Sequence, residues 1–355
     1  MLKDRRSRLF PFFVRERLDC LVVASLPNLR YLTGFSGSTG CLLLTRDRGW
    51  FVSDSRYTLQ AAAEVPDLEL LEHDRPLQAL ATLQQEQGWR RVGFEAAHTT
   101  VSALDEYTRQ LPGVELAPLG PELDAIRGCK DPLEVAALGR VARLASDALL
   151  QLLPQIRPGM SEAALALELE FEMRRRGAEG RGFEFIVASG ERGAMPHGRA
   201  GQRLLQSGEL VTIDFGAMLG GYHSDETVTV ALGTVSRRHR DLYEVVLTAH
   251  DRAIAAVRPG IGCRELDAVA RDYIREQGYG DYFGHGVGHG VGLEVHEKPT
   301  LSPRSDGVLE EGMVVTVEPG IYIPGWGGVR IEDTVLVTAS GCRILTGVPK
   351  SLMVL

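Results

Sequence analysis

The 355-residue sequence predicts an α+β protein of two domains, a smaller α/β unit over residues 1–127 and a larger unit of duplicated αββ halves over 128–355. Three observations predict it. Short apolar runs alternate with helical patterns in the first third of the chain. A four-residue motif recurs at a fixed offset in the remainder. Five carboxylate and imidazole residues stand on short strand-like segments of that second part.

The elements follow in order. Leu21-Val22-Val23-Ala24, Cys41-Leu42-Leu43-Leu44-Thr45 and Gly49-Trp50-Phe51-Val52 are apolar runs bounded by turn residues and read as strands. Tyr57–Glu64 and Pro76–Gly88 read as helices. No metal-binding constellation belongs to this part. Gly128-Cys129-Lys130-Asp131-Pro132 is the joint, with Asp131 suited to the N-cap and Pro132 to the first position of the next helix. That helix carries Leu138, Val141, Ala145, Ala148 and Leu152 at three- and four-residue steps, an amphipathic stripe.

Arg157-Pro158-Gly159-Met160 then recurs as Arg258-Pro259-Gly260-Ile261, an offset of 258 − 157 = 101. Each copy opens a helix that stops at a glycine, Gly177 or Gly278, suited to the left-handed position past a helix end. A strand pair follows each helix, at about 210–232 and about 314–337. Asp214 and Asp225 come from the first pair, Glu318 and Glu332 from the second. The duplicated plan brings four carboxylates together across a pseudo-two-fold axis.

Composition narrows the function classes. Apolar content of 44% and charged content of 24% are those of an ordinary globular protein. A formal charge of −8 without a basic stripe argues against a nucleic-acid partner. The apolar patch Leu9–Val14 holds Pro11 and is stopped by Arg15, too short for a signal-peptide core, and no run approaches the length that spans a bilayer. The five cysteines are scattered without CxxC spacing, which reads as reduced thiols in a cytoplasmic protein.

The chemistry lies in Asp214, Asp225, His289, Glu318 and Glu332. Alternation places Arg330, Glu332 and Thr334 on one strand face and Thr316 and Glu318 on another. Paired strands about 4.8 Å apart let facing carboxylates bridge ions about 3.5–4 Å apart. Four carboxylates and one imidazole favour Mn²⁺, Co²⁺, Fe²⁺ or Zn²⁺ at high coordination over a thiolate zinc site. Without cations, four buried carboxylates would repel one another and protonate. A water shared by two such ions ionises near pH ~7 and attacks a carbonyl. Any one of these residues alone reads equally well as a turn former or a salt-bridged strand residue; jointly, on two repeat-related hairpins, they read as a metal site. His197, His285 and His296 flank the set, whereas His73, His98, His239 and His250 read as ordinary hydrogen-bonded histidines and His223 stays unassigned. The glycine-rich stretch 284–292 lacks the Lys-Ser/Thr of a phosphate loop, so close backbone approach to a metal site accounts for it better.

These motifs resemble the pita-bread metallopeptidases, the prolidase, aminopeptidase P and methionine aminopeptidase group, and most closely an Xaa-Pro dipeptidase. Asn28-Leu29-Arg30-Tyr31-Leu32-Thr33-Gly34-Phe35-Ser36-Gly37-Ser38 is similar to the non-catalytic N-terminal domain of prolidases and aminopeptidases P. The resemblance implies a C-terminal pita-bread domain with two divalent metal ions per subunit, Mn²⁺ first and Co²⁺ or Zn²⁺ next, held by Asp214, Asp225, His289, Glu318 and Glu332. It implies that Asp225 and Glu332 bridge the ions and that Glu318 takes a proton from the nucleophilic water. His197 and His296 would position the scissile carbonyl and proline, His285 would donate to the tetrahedral intermediate, and Arg330 and Tyr322 would line the site. It further implies short proline-containing peptides as substrates and a homodimer, with no nucleic-acid or membrane partner.

Two departures qualify the match. Many relatives read Thr-Arg-Thr where this chain has Thr227-Val228-Thr229, and prolidases often carry an arginine at the place of Thr300, after His296-Glu297, to grip the dipeptide carboxylate. Dipeptide selectivity here needs another cation: Arg199, Arg304, or one from a partner subunit's N-terminal domain. The expected activity is hydrolysis of Xaa-Pro dipeptides. Cleavage of longer Xaa-Pro peptides is the runner-up, and an inactive peptide-binding module stands behind both.

Overall fold

In the computed structural model, which describes residues 2–355, the apolar runs of the first third pair into one six-stranded sheet. The chain divides into two units, Met1–Ile126 and Arg127–Leu355. In the first, Cys20–Val23 lies at the centre, antiparallel to Cys41–Leu44 and parallel to Arg91–Glu95. Gly49–Ser53 and Glu69–Glu72 extend one edge and Glu115–Leu119 the other. Trp50, Trp89, Leu80, Leu83 and Val92 pack together against one face. The buried Glu95 carboxylate accepts from the amides of Ala24 and Ser25 at 2.6 and 2.8 Å and from Asn28, closing the start of the helix Leu26–Thr33.

The second unit opens on the helix Pro132–Leu152, whose start is a capping box: Asp131 accepts from the Glu134 amide, and Glu134 accepts from the Asp131 amide. Its stripe residues Leu138, Val141, Ala145, Ala148 and Leu152 are buried. The repeat is expressed with a constant offset in the two helices. The helices Glu162–Arg175 and Cys263–Glu276 both start and stop 101 residues apart, 263 − 162 and 276 − 175. Gly177 and Gly278, just past their ends, take φ of +100° and +87°.

Each helix leads to strands of the same order. In the first half Ile186–Ser189, Glu209–Phe215 and Glu226–Leu232 lie side by side, all antiparallel. In the second half Gly288–Gly290, Val314–Val317 and Asp333–Thr338 do the same, with Glu297–Leu301 and Gly341–Ile344 added at the edges. The halves are stitched where their hairpins meet. The Thr229 hydroxyl donates to the Arg330 carbonyl at 2.9 Å, the Glu332 amide donates to the Thr227 carbonyl at 3.1 Å, and Thr334 Oγ1 donates to the Asp225 carbonyl at 2.7 Å. Each half keeps its own apolar core, one around Leu165, Leu169, Val211 and Ile213, the other around Leu266, Ala270, Val315 and Val335.

Candidate metal centre

The seam between the two hairpins is where the carboxylates gather. Asp214 stands in the strand Glu209–Phe215, and Glu318 lies one residue past Val314–Val317. Asp225 and Glu332 occupy equivalent places, each one residue before the outer strand of its hairpin. These two positions lie at strand entrances, outside the regular ladder. His289 comes from Gly288–Gly290, which can lie tight against its neighbour only because residue 288 is glycine: a Cβ there would stand 2.0 Å from the Thr316 carbonyl oxygen.

Ligand atoms of Asp225, His289 and Glu332 lie within 4.8 Å of one another. His289 Nδ1 is 2.9 Å from the Gly290 carbonyl, an acceptor only, so Nδ1 carries the proton and donates. The bare Nε2 then faces Glu318 Oε1 at 3.4 Å and Asp225 Oδ2 at 3.6 Å. Those gaps are too long for good hydrogen bonds and suit two donors sharing an ion at about 2.0–2.2 Å each. Two buried oxygens, Asp214 Oδ1 and Glu332 Oε1, have no hydrogen-bond partner among the described residues. Each would be costly left so.

Electrostatics points the same way. Burial, then Glu332, Asp214 and Glu318, pushes the Asp225 carboxyl well above its usual range. Burial, then Glu318 and Asp214, does the same to Glu332. Glu318 is raised to about 8, chiefly by burial. Burial, with His296 next, lowers His289 to about 4, leaving it a neutral ligand. The cation acting on these carboxylates from within the protein is Arg330, so four carboxylates against one guanidinium leave 4 − 1 = 3 charges uncompensated. The donor set therefore fits two divalent cations.

Around this set the protein fixes orientations. Arg330, 3% exposed, donates to Asp214 Oδ2 at 2.6 Å, to the Tyr322 hydroxyl at 2.9 Å, to Thr227 Oγ1 at 3.2 Å and to the Pro196 carbonyl at 3.2 Å. The Thr227 hydroxyl donates to Glu332 Oε2 at 2.6 Å. His285 has both ring nitrogens occupied, Nδ1 donating to the Gly286 carbonyl at 2.8 Å and Nε2 accepting from the Tyr322 hydroxyl at 2.8 Å. Burial and then the Arg330 charge lower His285 to about 4. The ring's one N–H is thus spent on the Gly286 carbonyl and is not free for a substrate; Arg330, Tyr322 and His285 form one polarised chain instead.

His197 and His296 are exposed beside this chain. The His296 ring packs 4.3 Å from that of His289, and His197 lies near enough to both His285 and His296 to disfavour their protonation.

Several supporting residues carried no local signal in the sequence. Asp267 accepts from the Val287 amide and grips Arg271, which donates to the carbonyls of Phe283 and His285 and so fixes the loop before His289. Glu297 accepts from Arg127 and Lys130 and from the Leu293 amide, holding the turn that carries His296. Lys350 donates to Glu226 at 2.6 Å and lies 3.3 Å from Asp333, neutralising the carboxylates next in sequence to Asp225 and Glu332. His250, read as an ordinary histidine, pairs with that same Asp333. Only the i, i+4 spacing of Asp267 and Arg271 could have been read in advance.

Comparison with known proteins places this architecture. Residues 136–339 match the model of metallopeptidase family M24, and residues 5–129 match the creatinase/prolidase N-terminal domain. The chain is 45% identical over 350 residues to the Bacillus subtilis uncharacterized peptidase YqhT, covering 98% of this chain and 99% of that one. Its fold superposes on an Xaa-Pro dipeptidase structure from Bacillus anthracis at a TM-score of 0.97, with 41% identity and complete coverage of both chains. An X-Pro aminopeptidase structure from Thermotoga maritima follows at 0.90 and 36%, covering 96% of this chain and 98% of that one. The duplicated unit has the pita-bread fold, and the chain belongs to metallopeptidase family M24.

Proposed function

We propose that the protein is a metal-dependent exopeptidase that hydrolyses the Xaa-Pro bond of dipeptides. One observation carries the reading: four clustered carboxylates with two unpartnered buried oxygens face a bare imidazole nitrogen. The Bacillus anthracis relative, named an Xaa-Pro dipeptidase, supports the substrate class.

Asp214, Asp225, His289, Glu318 and Glu332 would hold two divalent ions, Mn²⁺ suiting the oxygen-rich set best and Co²⁺ or Zn²⁺ next. When bound, such ions acidify a water and polarise a carbonyl. The protein's own groups do the rest. Glu318 takes the proton released as water adds to the carbonyl and passes it to the proline nitrogen that leaves. That nitrogen carries no hydrogen in the substrate, so recognition relies on shape, carbonyl and termini. His197 and His296, exposed beside the site, orient the carbonyl and the ring, and the chain from Arg330 through Tyr322 to His285 holds these three side chains in fixed orientation beside the carboxylates.

Short peptides free in the cytoplasm are the substrates in this reading, and the working form is a homodimer. No described helix is long and apolar enough to cross a membrane. Dialysis against a chelator, then Mn²⁺, Co²⁺ or Zn²⁺ with Ala-Pro as substrate, tests it: activity should vanish and return with metal. Peptide binding without any turnover after metal addition would instead indicate an inactive module. The Thermotoga maritima relative, named an X-Pro aminopeptidase, keeps a second reading in view. Faster cleavage of longer Xaa-Pro peptides than of dipeptides would select it.

A further inference from the structure

A dipeptide substrate differs from a longer one in a single respect: its carboxylate sits one residue from the bond that is cut, consecutive Cα atoms being about 3.8 Å apart. A dipeptidase therefore needs a cation close to its carboxylate cluster. On the His289 side the position directly across the ladder is Thr300, which is uncharged. Arg330 is committed to Asp214, Tyr322, Thr227 and Pro196; Arg192 is committed to Glu162 and to the Arg199 carbonyl, and Arg271 to Asp267.

The register on the other side of the site is different. Asp214 pairs directly with Ile186, and Ile186 pairs in turn with Arg199. Residues directly across an antiparallel ladder share a face, so Arg199 leaves the backbone on the face that carries the Asp214 carboxylate. It lies two strand spacings away, about 9.6 Å, with only the apolar Ile186 between. Its backbone is anchored: the Arg199 carbonyl accepts from Arg192 at 2.7 Å. Its side chain is exposed, and among the described residues its guanidinium makes no hydrogen bond or ion pair. It stands two residues beyond His197. Two other exposed cations near the site lack this placement. Lys298 sits in the bulge after His289, and Arg304 lies in the turn beyond Leu301.

We propose that Arg199 is the specificity-determining residue that grips the C-terminal carboxylate of the dipeptide, its two-pronged donor geometry matching a carboxylate as an ammonium does not. The inference rests on the Xaa-Pro hydrolase reading above and deepens it.

The test uses the metal-loaded full chain and three substrates: Ala-Pro, its C-terminal amide, and Ala-Pro-Ala. Wild type should favour Ala-Pro over its amide. Arg199→Ala should raise KM for Ala-Pro about tenfold or more, the scale of one lost charge-assisted hydrogen bond, with kcat and the amide's KM little changed. Arg199→Lys should recover only part of the preference. Titration calorimetry gives a readout independent of turnover: wild type should bind L-proline more tightly than L-prolinamide, and Arg199→Ala should bind both alike. An unchanged ratio in Arg199→Ala, or a loss of preference in Lys298→Ala or Arg304→Ala instead, would overturn the assignment to Arg199. Absence of cleavage of all three substrates by metal-loaded wild type would overturn the hydrolase reading itself, so the two failures are told apart.

Discussion

Burial and three neighbouring carboxylates drive the Asp225 carboxyl far above its ordinary range, so at neutral pH the metal-free protein either protonates it or bears the repulsion. Asp225→Asn removes that charge while keeping the shape. The metal-free variant should melt a few degrees higher than metal-free wild type, and the rise on adding Mn²⁺ should largely disappear. Thermal unfolding with and without Mn²⁺ checks both halves of the statement. Arg330 works by geometry as much as charge, reaching four acceptors from one planar fork. Arg330→Lys should accordingly lower kcat at least a hundredfold with metal content retained, read by steady-state kinetics beside elemental analysis. At this scale the five candidate ligands were legible because each lies in its own short motif next to a strand. Thr227, Glu297 and Lys350 were not, because each acts on a partner brought near only by folding: Glu332 lies 105 residues from Thr227, and Arg127 lies 170 residues from Glu297.

Among the elements, the turn carrying His296 hangs on a buried charge cluster. Arg127, Lys130 and Glu297 are 3%, 1% and 3% exposed, and the single Glu297 carboxylate serves both cations and two backbone amides. Removing one partner of such a cluster costs about 3–5 kcal/mol because the remaining charges stay buried. Glu297→Gln should therefore lower the urea midpoint of the duplicated unit by a corresponding amount, measured by equilibrium unfolding. Gly288 has no such slack. A methyl group there meets backbone, not a flexible side chain, so Gly288→Ala should separate the strands around His289 and sharply reduce metal content, measured after dialysis against Mn²⁺. Helices were the easier elements to read, since Asp131-Pro132 and the paired glycines mark their ends. The strands Glu69–Glu72, Arg91–Glu95 and Glu115–Leu119 were passed over in the sequence, two of them at sheet edges where outward glutamates dilute the apolar pattern.

For the molecule as a whole, the carboxylate cluster links metal, pH and stability. Glu318 has a folded-state pKa of about 8 against an ordinary 4.5, so between those values its carboxyl keeps in the folded metal-free protein a proton that it loses in the unfolded chain. His285 and His289, lowered to about 4 against an ordinary 6.5, act in the opposite direction below about 6.5. Stability of that form should then fall as pH rises from about 6.5 through 8, with Asp225 and Glu332 adding in the same direction as Glu318. Loading with Mn²⁺ should flatten the decline, because bound cations favour the ionised carboxylates. Calorimetric melting curves from pH 6.5 to 8.5 on both forms test this, and a rising metal-free curve would contradict it. The duplicated plan was legible as a 101-residue echo. Beyond the two hairpins the order of its strands was not, since Ile186–Ser189 and Gly288–Gly290 find their ladder partners only when each half packs.

Lys350 adds a matter of timing. Among the described residues it is the lysine whose ammonium reaches Glu226 and Asp333, the carboxylates adjoining two of the candidate ligands, and it lies downstream of both hairpins in the chain. During synthesis from the N-terminus both acids precede their counter-ion, Glu226 by 350 − 226 = 124 residues and Asp333 by 350 − 333 = 17. A nascent chain halted before this late segment would hold the whole ligand set while Glu226 and Asp333, next in sequence to two of its members, still lacked the lysine that offsets their burial.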